Sequence, residues 1–272
     1  MDLNIGFIGT GKMGSAIARG IALSGKIAPE KVRVYDVDSQ KTKALQDELN
    51  VSVEKSIEDL IKNSDIIVLA VVPSIVKSVL EPHKGLFNNN KILLSIAAGV
   101  PIKVFKTLLG DKAKIVRTMP NRPALIGKGI TLISFESGTI SEEEYNTIKC
   151  LFESVGKVEL MNENLMDEVI ALTSSSPAYV FMLIEAMANA AVLRGIPSNM
   201  AYKLAAYAVS GSAQMVLETG KHPAELKDEI CTPAGTTIEA VKTLEKHNFR
   251  YAIIEAMEEC TKKAKSISEK YN

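Results

Sequence analysis

What this sequence has little of narrows its chemistry before any motif is read. There are three cysteines, Cys150, Cys231 and Cys260. They are odd in number, far apart, and without the close pairs that hold zinc or staple a small secreted fold. No metal site is expected, and the reading is a reduced, cytoplasmic compartment. Histidine is equally scarce: His83, His222 and His247 stand alone and read as surface or capping residues rather than bases or ligands. Charge of one sign is missing too, since 32 basic residues balance 32 acidic ones. That leaves no electrostatic pull toward nucleic acid or an anionic membrane and favours a small neutral or zwitterionic ligand. The opening "MDLNIGFIG" enters a strand pattern at once, with no basic and apolar leader, and no uninterrupted apolar run reaches about 18 residues. A chain neither exported by that route nor membrane-spanning is expected. The 46% hydrophobic content is ample for a packed core.

Up to residue 163 short β-branched runs alternate with helix-length stretches: "LNIGFIG", "VRVY", "IIVLAVV", "KILLSIAAG", "KIVRTMP", "GITLIS" and "KVELM". This rhythm predicts a mostly parallel, doubly wound sheet. "IIVLAVV", apolar throughout, suits a strand covered on both faces. From residue 164 to 272 only helical periods remain, and "AYVFMLIEAMANAAVL" is apolar almost all round, as the centre of a helical domain buried against a second subunit would be. The junction is placed in "LMNENLMD".

"GFIGTGKMG" sets Gly9, Gly11 and Gly14 in G-x-G-x-x-G register between a strand and a helix. There the first glycine permits a tight turn, the second lets a pyrophosphate approach the backbone, and the helix start favours its charge. The plainer reading is a glycine-rich turn with no ligand. Asp36 ends the second strand, where a carboxylate can bind the adenosine ribose hydroxyls and repel a 2′-phosphate, which favours NADH. Lys41 and Lys43 nearby read equally as solvated helix charges. "LAVVP" and "SIAAG" end further strands on the same face.

In "CTPAGTTIE" the spacing from Thr236 to Glu239 predicts a capping box. Thr237 is then left with a free hydroxyl in the first helical turn, beside unpaired amides of Gly235, Thr236 and Thr237, a setting that suits a carboxylate. "TSSSPAY" reads first as a helix start, with Ser176 as N-cap and Pro177 following. The final "EECTKKAKSISEK" reads as a solvated helix.

Taken together, "GFIGTGKMG", "LAVVP", "SIAAGV", "VRTMPNRPALIGKG", "TSSSPAYVF" and above all "HPAELKDEICTPAGTTIEAV" resemble the pyrroline-5-carboxylate reductases along the whole chain. The resemblance implies a Rossmann domain at 1–163 and an all-helical dimerisation and substrate domain at 164–272. It also implies a homodimer, with five dimers forming a decamer, and hydride transfer from NADPH or NADH to the C=N carbon of a small cyclic imino acid. NADP is the family default, while Asp36 leans toward NAD. Thr237 would hydrogen-bond the imine nitrogen, and the Gly235, Thr236 and Thr237 amides with Thr232 would hold the carboxylate. The cofactor contacts implied are Gly9, Thr10, Gly11, Lys12, Met13, Asp36, Ser56, Ala70, Val71, Val72, Pro73, Ile96, Ala97, Ala98 and Asn121.

This chain departs from the family pattern where Val72 replaces a lysine and Arg122 a threonine, and where Ser174 and Ser176 replace glycines. Two other readings compete. A related hydroxyacid dehydrogenase would need a lysine on the first long helix of the second half, and "PAYVFMLIEAMANAAVLRG" has none. A non-catalytic nucleotide-binding regulatory protein would have no use for a free first-turn threonine.

Overall fold

The structure is a computed structural model and describes residues 1–88 and 90–269. Eight strands, β1 Ile5–Ile8, β2 Val32–Tyr35, β3 Ser52–Val53, β4 Ile66–Leu69, β5 Ile92–Ser95, β6 Lys114–Pro120, β7 Gly129–Ser134 and β8 Gly156–Leu160, form one sheet in the order 3-2-1-4-5-6-7-8. Every pairing is parallel except β6 with β7. The helices of this half are α1 Lys12–Leu23, α2 Ser39–Leu49, α3 Ile57–Lys62, α4 Val76–Leu80, α5 Ile102–Leu109, α6 Glu142–Phe152 and α7 Ile170–Thr173. They are followed by α8 Ser176–Val192, α9 Ser198–Thr219, α10 Pro223–Ile230, α11 Thr236–Lys246 and α12 Phe249–Ser268. The seven strands expected from the sequence are present. β3, two residues long, carries too little pattern to be read.

Successive strand residues point to opposite faces, so the central strands feed two cores. Phe7, Val68 and Leu94 join Ile17, Ile21 and Phe152 on one side. Ile8, Ile67, Leu69 and Leu93 join Leu60, Leu80 and Phe105 on the other. All four residues of β1, β4 and β5 are buried, which explains why these strands read as continuous apolar runs rather than alternating ones.

The chain divides into two compact units, Met1–Ser174 with the segment from Thr261 onward, and Ser175–Cys260. The first runs past the 163/164 junction expected from the sequence because residues 163–174 are tied to the sheet. Glu163 Oε1 accepts the Ile102 N–H at 2.7 Å, the Arg117 guanidinium lies 2.6 Å from Asp167 Oδ1, and Asn121 Nδ2 donates to the Thr173 carbonyl at 3.0 Å. The end of α12 returns to this unit, with Lys265 Nζ 2.6 Å from Glu168 Oε1.

The helical unit has a meagre core of its own. Ala188, Ala201 and Ala205 are buried, with Ile184, Ala191 and Ile196 packed on them. Much of α8 and α9 is apolar yet exposed: Met182 is 69% and Leu217 78% exposed, and Leu193 just after α8 is 87%. Ile170–Val192 spans 23 residues at mean hydropathy 1.3, so by length and composition it qualifies as a membrane span. The sequence reading missed this because Glu185 and the serines interrupt the apolar run. Single subunits rarely leave so large an apolar surface uncovered.

Clear helix-capping chemistry lies at Ser141, where the hydroxyl accepts the Glu144 N–H at 3.2 Å and Glu144 Oε2 accepts the Ser141 N–H at 2.9 Å. Ser141→Ala is expected to lower the free energy of unfolding by about 1 kcal/mol, read as an earlier urea midpoint.

Candidate active site

The residues expected to bind a dinucleotide all follow strand ends on one edge of the sheet. Residues 9–13 follow β1, Asp36 follows β2, Ser56 lies beyond β3, 70–73 follow β4, 96–98 follow β5 and Asn121 follows β6. Because β1 to β6 are mutually parallel, these loops gather at their carboxyl ends. Chain order reverses between β1 and β4, the crevice where such sheets bind ligands.

The glycine-rich turn fits a pyrophosphate. Gly9 has φ +96°, and a Cβ there would lie 2.6 Å from the Ala70 carbonyl oxygen. At Gly14 a Cβ would lie 2.4 Å from the Gly9 oxygen, whereas at Gly11 it would meet nothing within 4 Å. The turn is therefore closed on the protein side and open on the other. Gly11 is the N-cap of α1 and offers no side chain to its first-turn amides, which are left to receive an anion.

Asp36 is more deeply engaged than the sequence reading supposed. Its Oδ2 accepts the Thr10 N–H at 2.6 Å and the Thr10 hydroxyl at 3.0 Å, and its Oδ1 accepts the Asp38 N–H at 3.0 Å. Partial burial pushes its pKa up. The N–H bonds from Asp38 and Thr10, the Thr10 hydroxyl and the charge of Lys41 outweigh that and hold it below the usual carboxylate value. The side chain stays ionised at neutral pH, clamps Thr10 (3% exposed) and keeps acceptor capacity on Oδ1 for a ribose hydroxyl.

Two other expected contacts have structural duties. Ser56 caps α3, accepting the Asp59 N–H at 3.0 Å and donating to Asp59 Oδ2 at 2.7 Å. Asn121 joins Thr173 to β7, since its Oδ1 also accepts the Ile130 N–H at 2.9 Å. Val72, 60% exposed, offers no cation to a phosphate. Arg122 opens a short 3-10 turn and is exposed.

A cleft of about 160 Å³ opens at the carboxyl ends of β5 and β6, lined by Ile96–Gly99, Arg117–Pro120, Ile170 and Ser174. The sequence reading found only its first wall, 96–98. The second follows from β6 lying parallel beside β5, a neighbour relation that local pattern does not carry.

The threonine-rich segment lies in the helical unit, and its geometry corrects the reading in two respects. The N-cap of α11 is Gly235, with no side-chain cap, and Thr236 is the first helical residue. No capping box forms: Glu239 is one position too far along to reach back, and its carboxylate instead sits 3.2 Å from Lys242 Nζ. The Gly235 amide is not free either, because it donates to the Thr232 carbonyl at 3.0 Å. That bond closes a turn with Pro233 second and Ala234 third at φ +57°, the arrangement of a type II turn. A Cβ on Gly235 would lie 2.3 Å from Thr232 Oγ1, so glycine lets that hydroxyl tuck against the helix start. Among the described residues, the hydroxyls of Thr232, Thr236 and Thr237 make no hydrogen bond, and the first-turn amides of α11 have no side-chain acceptor.

Ser175, not Ser176, is the N-cap of α8, and Pro177 is the second helical residue. His222 caps α10 by accepting the Ala224 N–H at 3.2 Å, and His247 ends α11. α8 contains no lysine.

Comparison with known proteins agrees with this geometry. Residues 163–267 match the family model described as pyrroline-5-carboxylate reductase dimerisation, and residues 4–99 match one described as NADP oxidoreductase, coenzyme F420-dependent. The chain is 44% identical to the pyrroline-5-carboxylate reductase of Escherichia coli K12, over 98% of this chain and 99% of that protein. It is 36% identical to that of Arabidopsis thaliana, over 98% and 96%. Among solved structures, a pyrroline-5-carboxylate reductase from Coxiella burnetii superposes with a TM-score of 0.91 at 31% identity, covering 98% of this chain and 99% of that one. The Plasmodium falciparum enzyme with NADP bound gives 0.88 at 31% identity, covering 98% of both. A glycine turn built for a dinucleotide, an uncapped threonine-bearing helix start and full-length similarity converge: the chain belongs to the pyrroline-5-carboxylate reductase family.

Proposed function

We propose that this protein reduces 1-pyrroline-5-carboxylate to L-proline, the last step of proline biosynthesis, using a reduced nicotinamide dinucleotide. The observation that carries the reading is the start of α11, where a glycine N-cap leaves the Thr236 and Thr237 amides without a side-chain acceptor and, among the described residues, the Thr237 hydroxyl without a hydrogen bond.

Gly9, Thr10, Gly11, Lys12, Met13 and Asp36, with the loops 70–73 and 96–98, hold the dinucleotide, and Ser56 and Asn121 support that edge. When bound, the reduced nicotinamide supplies a hydride to the C=N carbon. The substrate carboxylate is held by the Thr236 and Thr237 amides and the Thr232 hydroxyl, with Gly235 providing the room. Such a contact is worth about 0.3 to 1 kcal/mol at an exposed helix start and up to ~2 kcal/mol when partly buried. Thr237 Oγ1 hydrogen-bonds the ring nitrogen, drawing electron density from the carbon, and a proton reaches that nitrogen as it becomes an amine. No strong base is required, because nothing must be deprotonated. Orientation dominates, and well-placed reactants recover on the order of 7 to 11 kcal/mol of barrier.

The absence of lysine from α8 disfavours a hydroxyacid dehydrogenase. The unpartnered Thr237 disfavours a regulatory protein that has lost turnover. Asp36, ionised and facing the ribose position, favours NADH over the family's default NADPH. The exposed apolar faces of α8 and α9 pair with a second copy, which makes a homodimer, and five dimers assemble into a decamer. This pairing, in place of a bilayer, suits a balanced net charge and a cytoplasmic enzyme.

Thr237→Ala is expected to lower kcat roughly 100-fold, the usual effect of removing one aligned donor, and to leave dinucleotide affinity unchanged. Steady-state kinetics and a dinucleotide titration decide, and equal loss of both contradicts the role. Asp36→Ser is expected to raise the NADPH to NADH ratio of kcat/KM and to weaken both cofactors, because Thr10 loses its acceptor. An unchanged ratio shows that the carboxylate does not read the ribose. Sedimentation in detergent-free buffer is expected to give a dimer or a multiple of one, and a monomer contradicts the assembly.

A further inference from the structure

The hydroxyl of Ser174 is buried and has no hydrogen-bond partner among the described residues. Stranding a buried hydroxyl is costly, and native structures leave few such groups without a reason. Ser174 follows α7 and lines the cleft at the carboxyl ends of β5 and β6.

The other polar side chains of that lining are already engaged. The Arg117 guanidinium, 4% exposed, is held by Asp167 at 2.6 Å and Glu163 at 3.4 Å. Thr118 Oγ1 donates to the Ser95 carbonyl at 3.1 Å. What remains is a small cleft walled by Ile96, Ala97, Ala98, Met119, Pro120 and Ile170, with one unmatched hydroxyl. At about 160 Å³ it has room for a single ring and not for a whole dinucleotide. An apolar slot with one free side-chain hydrogen-bonding group matches a single flat heterocycle bearing one polar substituent. The slot also lies on the sheet edge where the dinucleotide loops gather. A serine hydroxyl turns between staggered χ1 wells and can donate once turned.

We infer that Ser174 is a cofactor-positioning residue whose hydroxyl donates a hydrogen bond to the carboxamide oxygen of the nicotinamide and so fixes the rotation of the ring in the cleft. This rests on a reduced nicotinamide dinucleotide being the hydride donor. It gives a purpose to one of the serines that replace glycine in "TSSSPAY", a departure the reaction itself does not use.

The test compares wild type, Ser174→Ala and Ser174→Gly without imine present. Each is titrated calorimetrically with the reduced dinucleotide and with its thionicotinamide counterpart, whose sulfur is a weak acceptor, and the melting temperature of the ligand-free protein is recorded. Ser174→Ala is expected to bind the normal dinucleotide about five-fold more weakly, the equivalent of roughly 1 kcal/mol, and Ser174→Gly at least as weakly. The difference from wild type should shrink toward none with the thio analogue. Ligand-free Ser174→Ala should melt no lower than wild type, because the removed hydroxyl had no partner. Unchanged affinity, equal losses with both dinucleotides, or a lower ligand-free melting temperature overturns the assignment. If wild type binds neither dinucleotide, this inference and the choice of hydride donor fall together. If dinucleotide binds as described and the imine is not reduced, only the proposed reaction falls.

Discussion

Two helices of this chain begin at a glycine, and the missing side chain at each N-cap is the constraint on which the rest depends. Four helix starts are closed by a side chain, with Asp38 capping α2, Ser56 α3, Ser141 α6 and His222 α10, while α4, α5, α7, α8 and α9 begin without a side-chain cap at a residue other than glycine. At Gly11 and Gly235 the N-cap has no side chain to offer. Amides left unclaimed there keep their affinity for anions, and an anion is what both proposed ligands present, a pyrophosphate in one unit and a carboxylate in the other. Each glycine is also needed for space. Gly11 leaves the approach to α1 open, and Gly235 admits the Thr232 hydroxyl against the turn.

The two units divide the physical work. The sheet unit is self-sufficient, with two cores built from alternate residues of the same strands, and this rigidity brings six loops to one edge. The helical unit buries chiefly alanine and leaves large apolar side chains of α8 and α9 in the open. A helix that is apolar all round and still exposed reports a surface that belongs to an assembly. The match of residues 163–267 to a dimerisation family model supports oligomerisation through this half of the chain.

Much of this was legible in the sequence, and the exceptions share a cause. Strand runs and the glycine register are local patterns, and both appear where they were read. The capping signature S/T-x-x-E occurs at both Thr236–Glu239 and Ser141–Glu144, yet it operates only at the second. Which residue becomes the N-cap depends on the backbone of the preceding turn, and Gly235 adopts the extended N-cap conformation itself. The resemblance implies cofactor contacts at Ser56 and Asn121, but a hydroxyl or amide also has local partners, here Asp59 for Ser56 and Thr173 and Ile130 for Asn121, and a motif match does not reveal which it takes. The β6 wall of the cleft, the clamp of Asp36 on Thr10 and the attachment of residues 163–174 to the sheet arise from neighbours far apart in sequence. The orphaned hydroxyl of Ser174 is visible only after every nearby donor and acceptor has been placed.

The chemistry drawn from these features asks little of individual side chains: a hydroxyl, a few amides and a hydride donor held in register. The most direct measurement is to supply 1-pyrroline-5-carboxylate together with NADH or NADPH and to quantify proline beside the loss of reduced nicotinamide. The account predicts that proline appears in step with the dinucleotide oxidised, and that neither changes when the imine is withheld. Oxidation of the dinucleotide without proline, or no imine-dependent oxidation with either cofactor, would contradict it.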